Sequence, residues 1–271
     1  MKNLIKSALS LILLLSILIS LCSCSVFLGV SNAKKNDVTI NGVSYVFFND
    51  TYVIEEIRDF ENSPDAIALI IPDYLNGYEV DVVGDIDFMA FEPMHISCKK
   101  AERIYFPWTI SVCNPVQVVE EYSDESTLKY VFSCTNVTCI GAEDGHIPKI
   151  GRQRYYVITR WLYDKLIEKK PTFEARFKYY LSANISYFFN YEDNPNEGYF
   201  FIDLMDESGK IVKPPYDPRR EGYTFSGWYK DEACTEAWDF ENDTVTIQFD
   251  EEGNRIYEEI RLYAKWDIWE G

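Results

Sequence analysis

The sequence predicts a β-rich α+β fold, and three observations support it. Aromatic side chains are abundant, with 20 Tyr, 17 Phe and 6 Trp, and aromatic residues favour strands over helices. Runs in which apolar and polar residues alternate are separated by turns such as Asn41-Gly42 and Glu221-Gly222, as expected for hairpins. Residues 159–170 instead place apolar side chains on one helical face.

The first residues have the pattern of an export signal. Lys2 and Lys6 form a short positive segment before an apolar run at residues 9–21. A spanning helix needs about 20 apolar residues, so this run is too short and fits the apolar core of a secretory signal peptide. Residues 1–23 are therefore expected to be a signal peptide.

The apolar run is followed by a cysteine with a distinctive context: Leu21 lies three residues before Cys24, and the small Ser23 directly precedes Cys24. This arrangement resembles the lipobox of bacterial lipoproteins. The resemblance implies that the Cys24 thiol receives a diacylglycerol, whose two chains anchor stably where one holds weakly. Cys22 is the poorer acceptor, because bulky Leu21 would occupy its cleavage position. A plain secretory signal and an uncleaved anchor are the alternatives.

Charge limits the partners of the exported chain. Without the two signal lysines, 24 Lys and Arg oppose 44 Asp and Glu, a net charge of about −20. Such a chain is repelled by nucleic acid, so no nucleic-acid partner is expected, and we expect a monomer. Residues 24–37 are expected to be a tether, with regular structure beginning near Val38.

Residues 38–182 are expected to form a leucine-rich-repeat-like domain. An apolar strand ending in Ile-Pro, a Gly turn, a Val-x-x-Ile-Gly-like segment and an Ala-Phe pair occur in that order, which resembles the BspA-type leucine-rich repeat. These parts are Ile70-Ile71-Pro72, Asn76-Gly77-Tyr78, residues 80–84 and Ala90-Phe91, and a weaker copy begins at Arg103-Ile104-Tyr105-Phe106-Pro107. The two prolines are 35 residues apart, whereas such repeats usually take about 20–29 residues.

The rest of this domain is predicted to extend and close the array. Two further strands are expected at 128–134 and 154–158, followed by the helix at 159–170. One repeat cannot bury its own apolar face, so neighbours share a core and atypical ends cap it. The resemblance implies a short β-solenoid whose first hairpin and last helix are caps.

Residues 183–268 carry the most specific pattern in the chain. The pattern consists, in order, of Pro218, Arg220, Gly222, Tyr223, Phe225, Gly227, Trp228, Tyr229, Trp238, Phe240, Leu262, Tyr263, Ala264, Lys265 and Trp266. It closely resembles the internalin-B-type B repeat, also called the Listeria–Bacteroides repeat. The resemblance implies a small β-grasp-like domain.

The residues of this domain support the same interpretation independently. Two aromatic runs flank a turn-rich segment at 193–198, which predicts a hairpin. Gly227 inside an alternating run predicts a bulge or a close approach of another backbone. Trp228, Trp238 and Trp266 are expected to belong to an aromatic core that lies wholly within the domain, and a binding site is the alternative interpretation. The domain is therefore expected to fold alone.

Five cysteines remain after signal cleavage and lipidation: Cys98, Cys113, Cys134, Cys139 and Cys234. The odd number leaves at least one thiol free. Export permits disulfides, and Cys134 and Cys139 are close enough to pair, but irregular spacing favours buried thiols for most of them.

No catalytic or metal-binding pattern is evident, and we expect neither an enzyme nor a cofactor. The chain has two histidines, and no Gly-rich phosphate loop or nucleophile elbow occurs. Cys134, Cys139 and His146 lack a fourth zinc ligand. The acidic turns at 193–198 and 250–254 do not fit a calcium loop, and 44 acids produce carboxylate pairs by chance.

The sequence therefore predicts a non-enzymatic lipoprotein on the outer face of the bacterial membrane that binds protein or glycan. Both resembled families occur in surface adhesion proteins, so the inference to adhesion is by analogy. A solute-binding or other envelope lipoprotein is the alternative, and an envelope hydrolase is less favoured. Within the array, Arg103 and Tyr105 are the candidate binding residues, because both types are enriched at binding hot spots. Core packing of Tyr105 is the other interpretation.

Overall fold

A computed structural model of the chain describes twelve segments. They are residues 35–48, 53–58, 67–80, 82–83, 95–96, 101–110, 112–113, 129–135, 155–169, 180–253, 255–256 and 258–270. The predicted signal peptide, the lipidation site Cys24 and most of the predicted tether lie outside these residues. The first strand begins at Lys35, so the last three residues of the predicted 24–37 tether belong to it.

The first sheet opens with the predicted hairpin. Its strands are β1 (Lys35–Ile40), β2 (Val43–Phe48), β3 (Val53–Arg58), β7 (Val82–Val83), β8 (His95–Ile96) and β10 (Val112–Cys113). β1, β2 and β3 are antiparallel, whereas β7, β8 and β10 join in parallel. Asn41 and Gly42 both have positive φ, 51° and 82°, as a two-residue hairpin turn requires.

The second sheet is entirely parallel and has five strands. In chain order they are β4 (Ala68–Ile70), β9 (Arg103–Phe106), β11 (Tyr130–Ser133), β12 (Tyr155–Ile158) and β13 (Tyr180–Ser182). Strands that are consecutive in this series are also neighbours in the sheet. One row of aligned residues crosses all five strands: Ile70, Tyr105, Phe132, Val157 and Leu181.

The number of residues between successive members of that row decreases along the chain. Tyr105 follows Ile70 by 35 residues, and the next three intervals are 27, 25 and 24 residues. The strands predicted at 128–134 and 154–158 are confirmed as β11 and β12.

The helix does not close this series. It is α1 (Arg160–Lys169), which lies between β12 and β13. The prediction that the helix ends the array is wrong, because β13 continues the parallel ladder after it. The Thr159 hydroxyl accepts a bond from the Leu162 backbone N–H at 3.1 Å, as an N-terminal cap does.

The third sheet contains the C-terminal aromatic strands. They are β14 (Ile185–Phe188), β15 (Tyr199–Asp203), β16 (Tyr223–Tyr229) and β19 (Ile260–Ile268), in the order β15-β14-β19-β16. β14 pairs in parallel with β19, and the other two pairings are antiparallel. The hairpin of β14 and β15 and the bulge at Gly227 are confirmed.

Two small antiparallel pairs complete the described strands. They are β5 (Tyr74–Leu75) with β6 (Tyr78–Glu79), and β17 (Gln248–Phe249) with β18 (Arg255–Ile256). Single-turn 3₁₀ geometry at Asn196–Gly198 joins β14 to β15. The described chain is therefore β-rich, with several sheets and one short α-helix among its described residues.

Strand alternation divides the parallel sheet between two cores. Leu69, Ile104, Val131 and Tyr156 form one aligned row and pack in the first core with residues of β2 and β3. The neighbouring row, which contains Tyr105, Phe132 and Val157, packs instead with the C-terminal sheet.

The expectation that the C-terminal aromatic core lies wholly within residues 183–268 is therefore wrong. Tyr105, Phe132, Cys134 and Val157 are buried in the same cluster as residues of β14, β15, β16 and β19. Alternation in a sequence shows which side chains share a face of a sheet. It does not show which other element covers that face.

Candidate functional site

The two residues predicted to bind a partner lie at the junction between the parallel sheet and the C-terminal sheet. Arg103 and Tyr105 are on the same face of β9, as expected for positions two apart in a strand. Tyr105 is 6% exposed, and the Arg103 side chain is 30% exposed. The structure thus places Tyr105 in a core, and only Arg103 of the pair reaches solvent.

A buried carboxylate of the C-terminal sheet joins these two residues. Asp203 Oδ1 accepts a hydrogen bond from the Tyr105 hydroxyl at 3.0 Å and one from Arg103 Nη1 at 3.3 Å. The Leu204 backbone N–H donates to the same oxygen at 2.7 Å. Sequence patterns did not indicate Asp203, because its partners lie about 100 residues away.

Burial decides the protonation behaviour of this cluster. It raises the pKa of Asp203, although the Leu204 N–H, the Arg103 charge and the Tyr105 hydroxyl oppose that rise. Burial also raises the pKa of Tyr105, and the Asp203 charge adds to the effect. Arg103, Tyr105 and Asp203 therefore form a structural polar contact within an apolar junction, where unpaired groups would be costly.

Aromatic stacking covers the rest of the β9 face. The Tyr105 ring lies 4.3 Å from that of Phe132 and 5.2 Å from that of Phe201, both nearly parallel to it. Phe201 belongs to β15, so the C-terminal sheet covers the row of the parallel sheet in which Tyr105 lies. That row is not available to a partner in this structure.

The neighbouring row on the same face is half-buried. It contains Arg103, Tyr130 and Tyr155 at aligned positions of three strands. The two tyrosine rings stack at 6.0 Å, and the Arg103 guanidinium lies 5.9 Å from the Tyr130 ring centre. Stacking turns these ring faces towards one another and leaves mainly their edges for other contacts.

The most exposed apolar side chains of the third sheet lie where β16 begins and β19 ends. Tyr223 and Ile268 are cross-strand partners, 37% and 74% exposed. Trp269 is 66% exposed, and its backbone N–H donates to the Gly222 carbonyl at 3.0 Å. Trp228, at the other end of β16, is 3% exposed and confirms its predicted place in the core.

Two consecutive arginines precede this end of the sheet. The Arg219 guanidinium lies 4.4 Å from the Tyr74 ring centre. That of Arg220 lies 3.7 Å from the Tyr223 ring and 4.5 Å from the Tyr191 ring. Arg220 matches a position of the B-repeat pattern, but nothing in the sequence singled out Arg219 or Trp269.

Cys134 and Cys234 are free thiols. Cys134 is buried, and its Sγ donates to the Phe200 carbonyl at 3.4 Å. Burial raises the pKa of Cys134 to about 12. The buried-thiol interpretation is confirmed for Cys134, and its suggested partner Cys139 lies outside the described residues. In the described segments no three His, Cys, Asp or Glu side chains are arranged to hold a metal ion.

The fold and this junction define a β-rich protein in which a parallel sheet and an aromatic mixed sheet share a core. Residues 187–265 match the family described as the Listeria-Bacteroides repeat domain. Internalin H of Listeria monocytogenes is 34% identical over 61 residues, which are 22% of this chain and 9% of that protein.

Two proteins of Evansella cellulosilytica are also similar. One, named "Putative membrane protein", is 34% identical over 115 residues, 40% of this chain and 15% of the relative. The other, named "Putative Gly-rich membrane protein", is 28% identical over 218 residues, 76% of this chain and 22% of the relative. The chain thus spans less than a quarter of the length of these relatives. Over the segments that the structure describes, no helix is long and apolar enough to cross a membrane.

Proposed function

We propose that this chain is a lipid-anchored cell-surface protein that binds a protein or glycan partner and catalyses no reaction. The observation that carries the proposal is the match of residues 187–265 to a repeat domain, with similarity to an internalin. The names of the two Evansella relatives, which refer to membrane proteins, support a location at the envelope.

The proposal also assigns an architecture. The five parallel strands, at intervals that settle to 24–27 residues after the first, support a short leucine-rich-repeat-like solenoid. The mixed sheet in the order β15-β14-β19-β16 supports a β-grasp-like B-repeat domain. Because the two share a core, the B repeat covers the face of the solenoid sheet that carries Tyr105, Phe132 and Val157.

Anchoring is tested by substitution of the proposed lipidation site. Cys24→Ala should abolish labelling of the protein by a radioactive or clickable fatty acid and leave it unprocessed or released. Cys22→Ala is the matched control, because the proposal places Cys22 in the removed signal, and this variant should label normally. Equal labelling of wild type and Cys24→Ala would exclude the lipobox.

Binding is tested with the chain that follows Cys24, produced without the signal. It should retain one partner from an extracellular or envelope extract, with saturable affinity that is reproduced with the purified partner. Hydrolysis of a cell-wall polymer by the same preparation, abolished by a single carboxylate substitution, would overturn the non-enzymatic part of the proposal.

A further inference from the structure

We infer that Arg219 and Arg220 form a binding site for the oxyanion groups of an anionic polymer, a phosphate-bearing or sulfate-bearing chain. The inference rests on the proposed binding function and names a ligand class for it. The site lies where the segment before β16 passes between Tyr74 of the first part of the chain and Tyr191 and Tyr223 of the C-terminal part.

The first argument is that neither guanidinium group forms an ion pair or a hydrogen bond with a described carboxylate, although the charge of Arg219 acts on the buried Asp73. Most other described Lys and Arg side chains form ion pairs within 4.0 Å: Arg103, Lys129, Arg160, Lys213, Lys230 and Arg261. Among the described residues, neither Arg219 nor Arg220 has a side-chain hydrogen bond or an ion pair. In a chain with 44 acids, two adjacent guanidinium groups without a directly bonded carboxylate are unexpected from composition.

The second argument is that aromatic rings hold both guanidinium groups in place. Arginine is planar, stacks on aromatic faces and carries five N–H donors around its rim. Arg220 contacts two rings, and Arg219 contacts one. Stacking occupies the faces and leaves the rim donors for an acceptor. Since the side chains are already ordered, less rotamer entropy is lost when an anion binds.

The third argument concerns the surface beside Arg220. Tyr223 and Ile268 form an exposed cross-strand pair, and Trp269 is exposed at the same end of the sheet. A contiguous exposed apolar patch with a polar rim is typical of an interaction site. These side chains can contact the uncharged backbone of a polymer whose phosphate or sulfate groups accept paired N–H bonds from arginine.

The site carries few positive charges, which favours a polymer with widely spaced negative charges over nucleic acid. Duplex DNA carries one charge per about 1.7 Å and is typically bound through many basic contacts. This site offers two basic side chains. The exposed carboxylate of Glu221 is next to them in sequence, and the buried carboxylate of Asp73 lies near Arg219. The whole chain is strongly acidic, so a dense polyanion is repelled and only a chain with separated charges is suited to the site.

The test measures binding of the soluble chain to immobilised polyglycerol phosphate and to heparin at low salt. Arg219→Gln and Arg220→Gln should each weaken binding about tenfold. Each should also reduce the slope of log affinity against log salt by about one. Glu221→Gln should strengthen binding, because it removes the adjacent repulsion. The polymer that responds identifies whether phosphate or sulfate is preferred.

Arg160→Gln is the matched control, since it removes an equal charge from an exposed arginine that already pairs with Asp164 at 3.0 Å. It should bind as wild type does. Arg220→Gln removes a side chain that packs on two rings, so its effect is not one of charge alone. Tyr74→Leu is therefore a second probe: it retains both charges and removes the ring under Arg219. Amide spectra establish that each variant is folded.

Two results would overturn the inference. Equal weakening by Arg160→Gln and Arg219→Gln would show general electrostatic attraction instead of a site. If the chain binds neither polymer, the inference is also excluded, whether or not the same preparation retains a protein partner. In that second case, retention of a protein partner keeps the proposed binding function and assigns the exposed end of the sheet to protein recognition.

Discussion

At the scale of single residues, one carboxylate links the two parts of the chain. Asp203 accepts bonds from Tyr105, Arg103 and the Leu204 N–H. Removal of the Asp203 carboxylate takes this acceptor from the buried Tyr105 hydroxyl, and a buried polar group left unpaired costs about 1–3 kcal/mol. Arg103 and Tyr105, which the sequence suggested as partner-binding residues, therefore form a contact inside the protein.

Asp203→Asn should change how stability depends on pH. Burial raises the pKa of Asp203 above its usual value of 3.8, so the folded chain holds this proton to higher pH than the unfolded chain does. Its contribution to stability is complete below pH 3.8 and is lost as pH rises through the raised pKa. Relative to Asp203→Asn, the wild-type urea midpoint should therefore fall from about pH 4 upwards. Parallel midpoint curves for the two proteins would contradict this, and exposed Asp164→Asn serves as the control.

The sequence could predict which strand face a residue occupies, but not which element covers that face. The sequence placed Arg103 and Tyr105 on one face of a strand, and that is correct. It weighed exposure of Tyr105 against core packing without deciding, because the covering residue Phe201 lies in another sheet. Arg219, Tyr223 and Trp269 could not be grouped from sequence, since their proximity depends on the pairing of β16 with β19.

At the scale of elements, local patterns predicted most strands and their turns. The Asn41-Gly42 hairpin, β11, β12, the hairpin of β14 and β15, and the bulge at Gly227 are all found. Each of these features was predicted from alternating residues or a turn residue that lie within about ten positions of one another. β13 was missed, since it is only three residues long and carries little periodicity of its own.

Gly209 should be intolerant of a side chain. Its φ is +70°, and a Cβ there would overlap the carbonyl oxygen of Val245, whose N–H donates to the Gly209 carbonyl at 2.9 Å. Gly209→Ala should lower the free energy of unfolding by about 2–4 kcal/mol through backbone strain and overlap together. Gly253→Ala, at a φ of +82° with open space around it, should cost only about 1–2 kcal/mol of strain. Equal losses in urea unfolding would show that the Val245 contact contributes nothing.

At the scale of the whole molecule, the two parts share one core. Phe132 is 1% exposed and belongs to the parallel sheet, yet it packs in the cluster of β14 and β15. Isolation of residues 183–268 would expose the apolar surface that Tyr105, Phe132 and Val157 now cover. We therefore expect the isolated segment to be less stable than it is in the full chain, contrary to the expectation of independent folding.

Phe132→Ala should destabilise the C-terminal sheet as well as its own. Loss of the buried ring should cost about 3–5 kcal/mol, and cooperative units lose protection together. Amide hydrogen exchange in β14 and β15 should accelerate accordingly. Ile40→Ala, at an exposed position of β1, should leave these amides unaffected. If exchange in β14 and β15 is unchanged in Phe132→Ala, the two parts unfold separately.

The parallel pairing of β14 with β19 determines how the C-terminal sheet responds to tension. β14 is entered from the first part of the chain, and β19 runs alongside it in the same direction towards Ile268. If the chain is anchored on its N-terminal side and holds a ligand near Ile268, as proposed, a pull between the two would drag these neighbouring strands in opposite directions along their length. All the hydrogen bonds of the pair would then bear the force at once instead of opening one after another, a geometry that resists extension.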